Sequence, residues 1–145
     1  MKEKVLKSIG KFIIEVVVIT MVLLGISITT EGMYLLGVPD ADDVDEVTIA
    51  YPEVTEEVKV IRVREDIETA VKLTGFLKYA IFEKADETEV PMITITYHLK
   101  NGESIIVSAN NETVWWKGKS HKIKDDETFI NLTEGIFFLK EVSYE

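Results

Sequence analysis

The chain holds 145 residues with 16 bases and 26 acids, a formal net charge of −10, and no cysteine. Without cysteine it has no disulfide, thiolate nucleophile, zinc–thiolate site or lipoprotein-type lipid anchor. Setting aside Lys2, Lys4, Lys7, Lys11 and Glu3 leaves 12 bases against 25 acids, a net of −13; such a surface repels phosphate backbones and argues against nucleic acid as a partner.

Residues 1–11 read as a basic tail. From Phe12 to Ile28 every residue except Glu15 is apolar, Gly, Ser or Thr. At about 1.5 Å per residue this is roughly 25 Å of helix, so Ile9, Gly10, Thr29 and Thr30 are needed to cross a hydrocarbon core about 30 Å thick. We expect a transmembrane signal-anchor helix at 12–30. The lysines precede it and no base follows before Lys59, so the positive-inside bias puts the N-terminus in the cytoplasm and the rest outside. Glu15 sits one helical turn from Lys11 and can pair with it or reach the headgroups; the alternative is a proton or ion path. Two other readings stay open for the segment. One is a cleaved signal peptide, with Val16 to Leu24 as its apolar region and Gly25 and Ser27 at the cleavage positions, giving a secreted protein. The other is a soluble core helix, against which the absence of a polar face speaks.

Residues 31–46 read as an acidic linker, with Tyr34 at the membrane interface and Pro39 stopping any helix. The acids Asp40, Asp42, Asp43, Asp45 and Glu46 do not follow the spacing of a calcium loop, which from Asp40 would place Val44 at its third ligand. A domain then spans 47–145. Val47, Ile49 and Tyr51 alternate as a first strand ended by Pro52, and Val58 to Val63 is a second strand suited to an antiparallel return. Asp66 can cap a helix whose apolar stripe is Ile67, Ala70, Val71, Leu73, Thr74, Leu77 and Ile81, with Gly75 inside it. Glu83 to Glu89 is a charged loop.

Pro91 to Ala109 reads as a β-hairpin whose register can be argued. A two-residue Asn101-Gly102 turn mixes polar and apolar side chains on each face. A three-residue loop, Lys100-Asn101-Gly102 with Gly102 left-handed, pairs Leu99 with Glu103, Tyr97 with Ile105, Ile95 with Val107 and Ile93 with Ala109, collecting the apolar residues on one face. Thr113 to Lys124 reads as a second hairpin. A type II′ turn at Gly118-Lys119 sets Val114 opposite Ile123 and Trp116 opposite His121, with Trp115 on the other face. One Trp belongs to the core and the other is partly exposed. For residues 129–139 a closing strand is favoured, because the run is aromatic and β-branched and Gly135 would break a short helix; Asn131-Leu132-Thr133-Glu134 nevertheless resembles a helix start.

His98 and His121 are the only side chains titrating near neutrality without perturbation. No zinc spacing, nucleophile motif or phosphate loop accompanies them. We therefore expect no enzyme, no catalytic residues, no metal and no cofactor. The nearest thing to chemistry is a hydrolase using His98 or His121 beside a carboxylate.

Thr113-Val114-Trp115-Trp116-Lys117-Gly118-Lys119, followed by Asn131-Leu132-Thr133-Glu134-Gly135-Ile136-Phe137-Phe138, resembles an uncharacterised family of small domains in Gram-positive bacteria, carried behind a lipoprotein signal or a single transmembrane helix. Pro39-Asp40 and Val47-Thr48-Ile49 fit the same pattern, so the resemblance covers most of residues 38–139. It implies a bacterial membrane-anchored domain of unknown function, and no site residues carry over. The lipid-attachment cysteine of some members is missing here.

The combined expectation is an α+β chain: a transmembrane helix, then a small antiparallel sheet with one packed helix. Its function is that of a non-catalytic, membrane-anchored extracytoplasmic binding module, with Trp115, Trp116 and His121 as binding residues and a protein or peptide of the cell envelope as partner. The alternative is a sensor or sequestering domain for a cation or cationic peptide.

Overall fold

In the computed structural model, which describes residues 1–124 and 128–139, the apolar N-terminal run is one helix, α1 (Lys2–Glu31). Its 30 residues make a rod about 45 Å long, long enough for a hydrocarbon core with the basic tail to spare. The helix buries none of its side chains against the rest of the chain, whereas a core helix would bury its apolar face. Its threonine hydroxyls bond within the helix: Thr20 Oγ1 donates to the Val16 carbonyl and Thr30 Oγ1 to that of Ile26, each at 2.8 Å, which allows them to sit in an apolar medium. The helix is thus long and apolar enough to span a membrane or to serve as a signal sequence.

Beyond it the fold is α+β. Strand β1 (Met33–Tyr34) is followed by a short 3-10 turn at Ala41–Asp43, then β2 (Val44–Ala50), β3 (Lys59–Ile61), α2 (Arg64–Gly75), β4 (Lys78–Tyr79), β5 (Ile93–Leu99), β6 (Ser104–Ala109), β7 (Thr113–Trp116), β8 (Lys119–Lys122) and α3 (Thr128–Phe137). Six strands form an antiparallel sheet in the order β3-β2-β5-β6-β7-β8, and β1 pairs with β4 in a small second sheet. One face of the large sheet is apolar, with Val47, Ile49, Ile93, Ile95, Tyr97, Val107, Val114 and Trp116 all buried. Ile67, Ala70 and Leu73 of α2 and Phe129, Ile130 and Phe137 of α3 join them in one core. Tyr97 brings a polar atom to that face: its hydroxyl donates to the Ala70 carbonyl at 2.7 Å and meets Thr74 Oγ1 at 2.5 Å. Burial pushes its pKa up, so the phenol stays neutral.

The hairpin β5–β6 has the register expected of a three-residue loop, with Ile93 opposite Ala109, Ile95 opposite Val107 and Tyr97 opposite Ile105. Gly102 takes φ +89°, and Leu99 N donates to the Glu103 carbonyl at 2.8 Å, closing the loop.

Four expectations are corrected. First, β7–β8 is offset by two residues: Val114 faces His121 and Trp116 faces Lys119, around a turn in which Lys117 and Gly118 have φ of +49° and +75°. This is a type I′ turn, whose twist suits a tight hairpin. A two-residue offset leaves every side chain on its expected face, so tertiary contacts decide it, and Ile123 is drawn off to pair with Tyr79. Second, residues 128–137 are helical rather than a closing strand. Phe129, Ile130, Thr133 and Phe137 are the buried positions, a helical spacing that the local alternation of Ile136 and Phe138 hides. Gly135 faces open space and is tolerated at about 1 kcal/mol, so two helices pack on the sheet instead of one.

Third, α2 ends at Gly75 and begins after Val63, without a side-chain cap from Asp66, which lies with Glu65 in the first turn. Leu77 reaches the core by continuing the chain toward β4. Fourth, the stretch expected as a linker is built into the domain. Leu35 and Val44 are buried, Asp40 accepts a hydrogen bond from Asp42 N at 3.0 Å to cap the short turn, Asp42 pairs with Arg64 and Glu46 with Arg62. The acids of that stretch are consumed in part by local structure, and the fold starts at Met33 rather than Val47.

Candidate interaction surface

The alternation of β7 sends its two tryptophans to opposite faces. Trp116 is 5% exposed, and its indole Nε1–H donates to the Leu36 carbonyl at 3.0 Å. A buried indole needs such a partner, so Trp116 is a structural anchor that fastens residue 36 to the hairpin. Trp115 stands partly exposed on the outer face, between Ser108 on β6 and Ser120 on β8. The expectation of one core Trp and one surface Trp holds. Of the pair, Trp115 alone has its ring partly exposed.

His121, across from Val114, lies against Tyr79 with ring centroids 4.3 Å apart at an interplanar angle of 37°. Partial burial, assisted by the nearby Lys119 charge, lowers its pKa, so the ring is neutral at pH 7. His98 sits on the outer face, 3.3 Å from Thr48 Oγ1 and 3.5 Å from Ser104 Oγ. Among the described residues neither histidine has a hydrogen bond or ion pair to a carboxylate, the geometry a general base of this kind would use. Nor does any group of three His, Asp or Glu side chains there converge as for a metal. Trp115, Trp116 and His121 share one hairpin but do not form one site: Trp115 is on the outer face and the other two are on the core side.

Sequence reasoning missed the wall opposite β8. The charged loop following β4 folds back along the edge strand, leaving an open groove of about 410 Å³ lined by Ile81, Glu83, Lys84, Glu87, Lys119, Ser120 and His121. Lys122 Nζ ties the loop to β8 through Glu83 at 3.3 Å. Farther along, Glu89 Oε2 accepts from Asn110 Nδ2 and Thr113 Oγ1, both at 2.8 Å, and these bonds hold its pKa below the usual carboxylate value. Asp86 is held low in the same way by Thr88. The groove therefore has one wall of sheet and one wall of pinned loop, with Ser120 as the residue that connects it across the strands to Trp115. The isolated loop sequence carries no sign of this, because the pinning partners lie more than 20 residues away on β7 and its approach.

Compared with family models, curated proteins and solved structures, the chain matches none.

Proposed function

We propose that the protein is a membrane-anchored, non-catalytic interaction module whose folded domain lies outside the cytoplasm and meets a protein or peptide partner of the cell envelope. The observation that carries this is α1, an all-round apolar helix with no buried side chain, which passes into the first strand through the single residue Gly32. The four lysines before its apolar run, and the absence of any base from Phe12 to Glu57, favour a cytoplasmic N-terminus. The resemblance to small anchored domains of Gram-positive bacteria agrees with this reading. The partner meets the outer face of the β7–β8 hairpin at Trp115 and Ser120, since a partly exposed Trp supplies a binding hot spot.

A panel of single substitutions tests the assignment. Trp115→Ala keeps the unfolding midpoint near that of the parent and loses capture of the partner from envelope fractions, whereas Trp116→Ala unfolds the domain. Unimpaired capture by Trp115→Ala would remove the hairpin surface from the account.

A second reading is favoured by one feature. Residues 40–68 carry 11 acids against Lys59, Arg62 and Arg64, a concentration suited to sequestering a cation or cationic peptide. Its binding would fall steeply between low and high ionic strength, and affinity independent of salt would eliminate it.

A further inference from the structure

We propose that the first residues after α1, together with Lys78, Lys117 and Lys124, form a seat that holds the domain against the anionic headgroup surface of the same bilayer that α1 crosses. This inference rests on the reading of α1 as a transmembrane helix.

The connection has no slack. Gly32 takes φ +84°, and a Cβ there would lie 2.8 Å from the Tyr79 carbonyl oxygen and 3.2 Å from Lys124 Cβ. The helix end is thus packed directly on the domain, and the strand that follows is already paired with β4. Three lysines from separate parts of the chain meet this short segment. Lys124 touches Gly32, Lys78 Nζ stands 4.8 Å over the Tyr34 ring, and Lys117 Nζ approaches Gly37. None of the three has an ion pair with a carboxylate among the described residues; Asp125, Asp126 and Glu127, next along the chain, lie outside those residues.

The same region exposes apolar side chains: Tyr34 at 48%, Leu36 at 60% and Phe76, two residues from Lys78, at 71%. Lysines with long apolar stems beside a Tyr and a Phe are the composition of a membrane-interface belt. Charge complementarity favours this orientation, with Glu31 at the end of α1 the acid beside the seat. Elsewhere the domain is acidic, above all at 40–68, and is repelled by anionic lipid; Lys117 and Lys124 lie within residues 114–124, which hold four lysines and no acid. Because the tether keeps the local concentration high, contacts too weak to bind a free domain suffice here.

The absence of cysteine makes the test clean. Full-length protein with a single bimane-labelled cysteine at Leu36, Phe76, Ile106 or Val18 is reconstituted in vesicles of phosphatidylcholine with phosphatidylglycerol, and quenching by spin-labelled lipids is measured. Val18→Cys reports on α1, and Ile106→Cys, on the outer sheet face, is the control. Quenching of the Leu36 and Phe76 probes at least about twofold above the Ile106 probe is expected, and it should fall toward the control in pure phosphatidylcholine or when Lys78, Lys117 and Lys124 are all changed to Gln. If the Val18 probe is quenched but the Leu36 and Phe76 probes match the control, the domain stands away from the bilayer and the proposal fails while the anchor survives. Without quenching at Val18, the anchor reading and the proposal fall together. Quenching unaffected by lipid charge and by the Gln substitutions would also overturn the role of the lysines.

Discussion

Helices α1 and α3 are both rich in apolar residues, yet only α3 is part of the core. In α3 the buried positions Phe129, Ile130, Thr133 and Phe137 fall on one face and Leu132 is left on the other. In α1 the exposed apolar side chains run all the way round, from Phe12 and Ile13 through Val17 and Val18 to Leu24. A helix with one apolar face is completed by a sheet. One that is apolar on every face suits a second apolar solvent, and the contrast separates a folding element from a segment long and apolar enough to cross a membrane or serve as a signal sequence.

The contrast can be broken from either side. Phe137→Ala should have the largest effect, about 3–5 kcal/mol of lost domain stability, while leaving membrane association intact; denaturant unfolding of the detergent-solubilised chain and fractionation of cells measure the two quantities. Val18→Lys should do the reverse: an insertion penalty of about 3 kcal/mol at mid-helix moves the protein out of the membrane fraction without changing the domain's unfolding midpoint. Tyr97→Phe removes the hydroxyl that α2 uses as its polar link to the sheet and should cost about 1–2 kcal/mol, again with no effect on the anchor.

The smallest effect is a pH dependence. The folded pKa of His121 lies below its unfolded value, so protonation favours the unfolded chain, and the contribution is full above about pH 6.5 and declines as pH falls below it. Glu89, also depressed, adds a loss at lower pH, as its carboxylate protonates and releases Asn110 and Thr113. Replacing His121 with Gln should abolish the first decline and leave the second, as thermal unfolding across that range would show.

How much of this was legible in the sequence depended on whether local pattern or distant contact set the outcome. The register of β5–β6 could be read because alternation on both strands and the glycine at 102 point to one loop length. For β7–β8 the alternation was equally clear, but it is blind to a two-residue offset. What set the register was Tyr79 taking Ile123 and Leu36 taking the Trp116 N–H, contacts from segments 44 and 80 residues away. The same cause hid the integration of residues 33–44 and the helical state of 128–137: a short apolar run has no periodicity strong enough to decide between strand and helix without its partners. Of the site, the outward Trp115 could be foreseen, whereas the groove and the lysines around Tyr34 exist only once the chain is folded.

The most direct test of the account is the sidedness of the domain in intact cells. A single cysteine introduced at the exposed Ile106 is treated with a membrane-impermeant maleimide, and the product is compared with the full-length chain. Labelling without lysis, at full length, is the predicted result and establishes a tethered domain outside the cytoplasm. Labelling only after lysis would contradict the central claim, and a shorter labelled product would replace the anchor with a cleaved signal sequence.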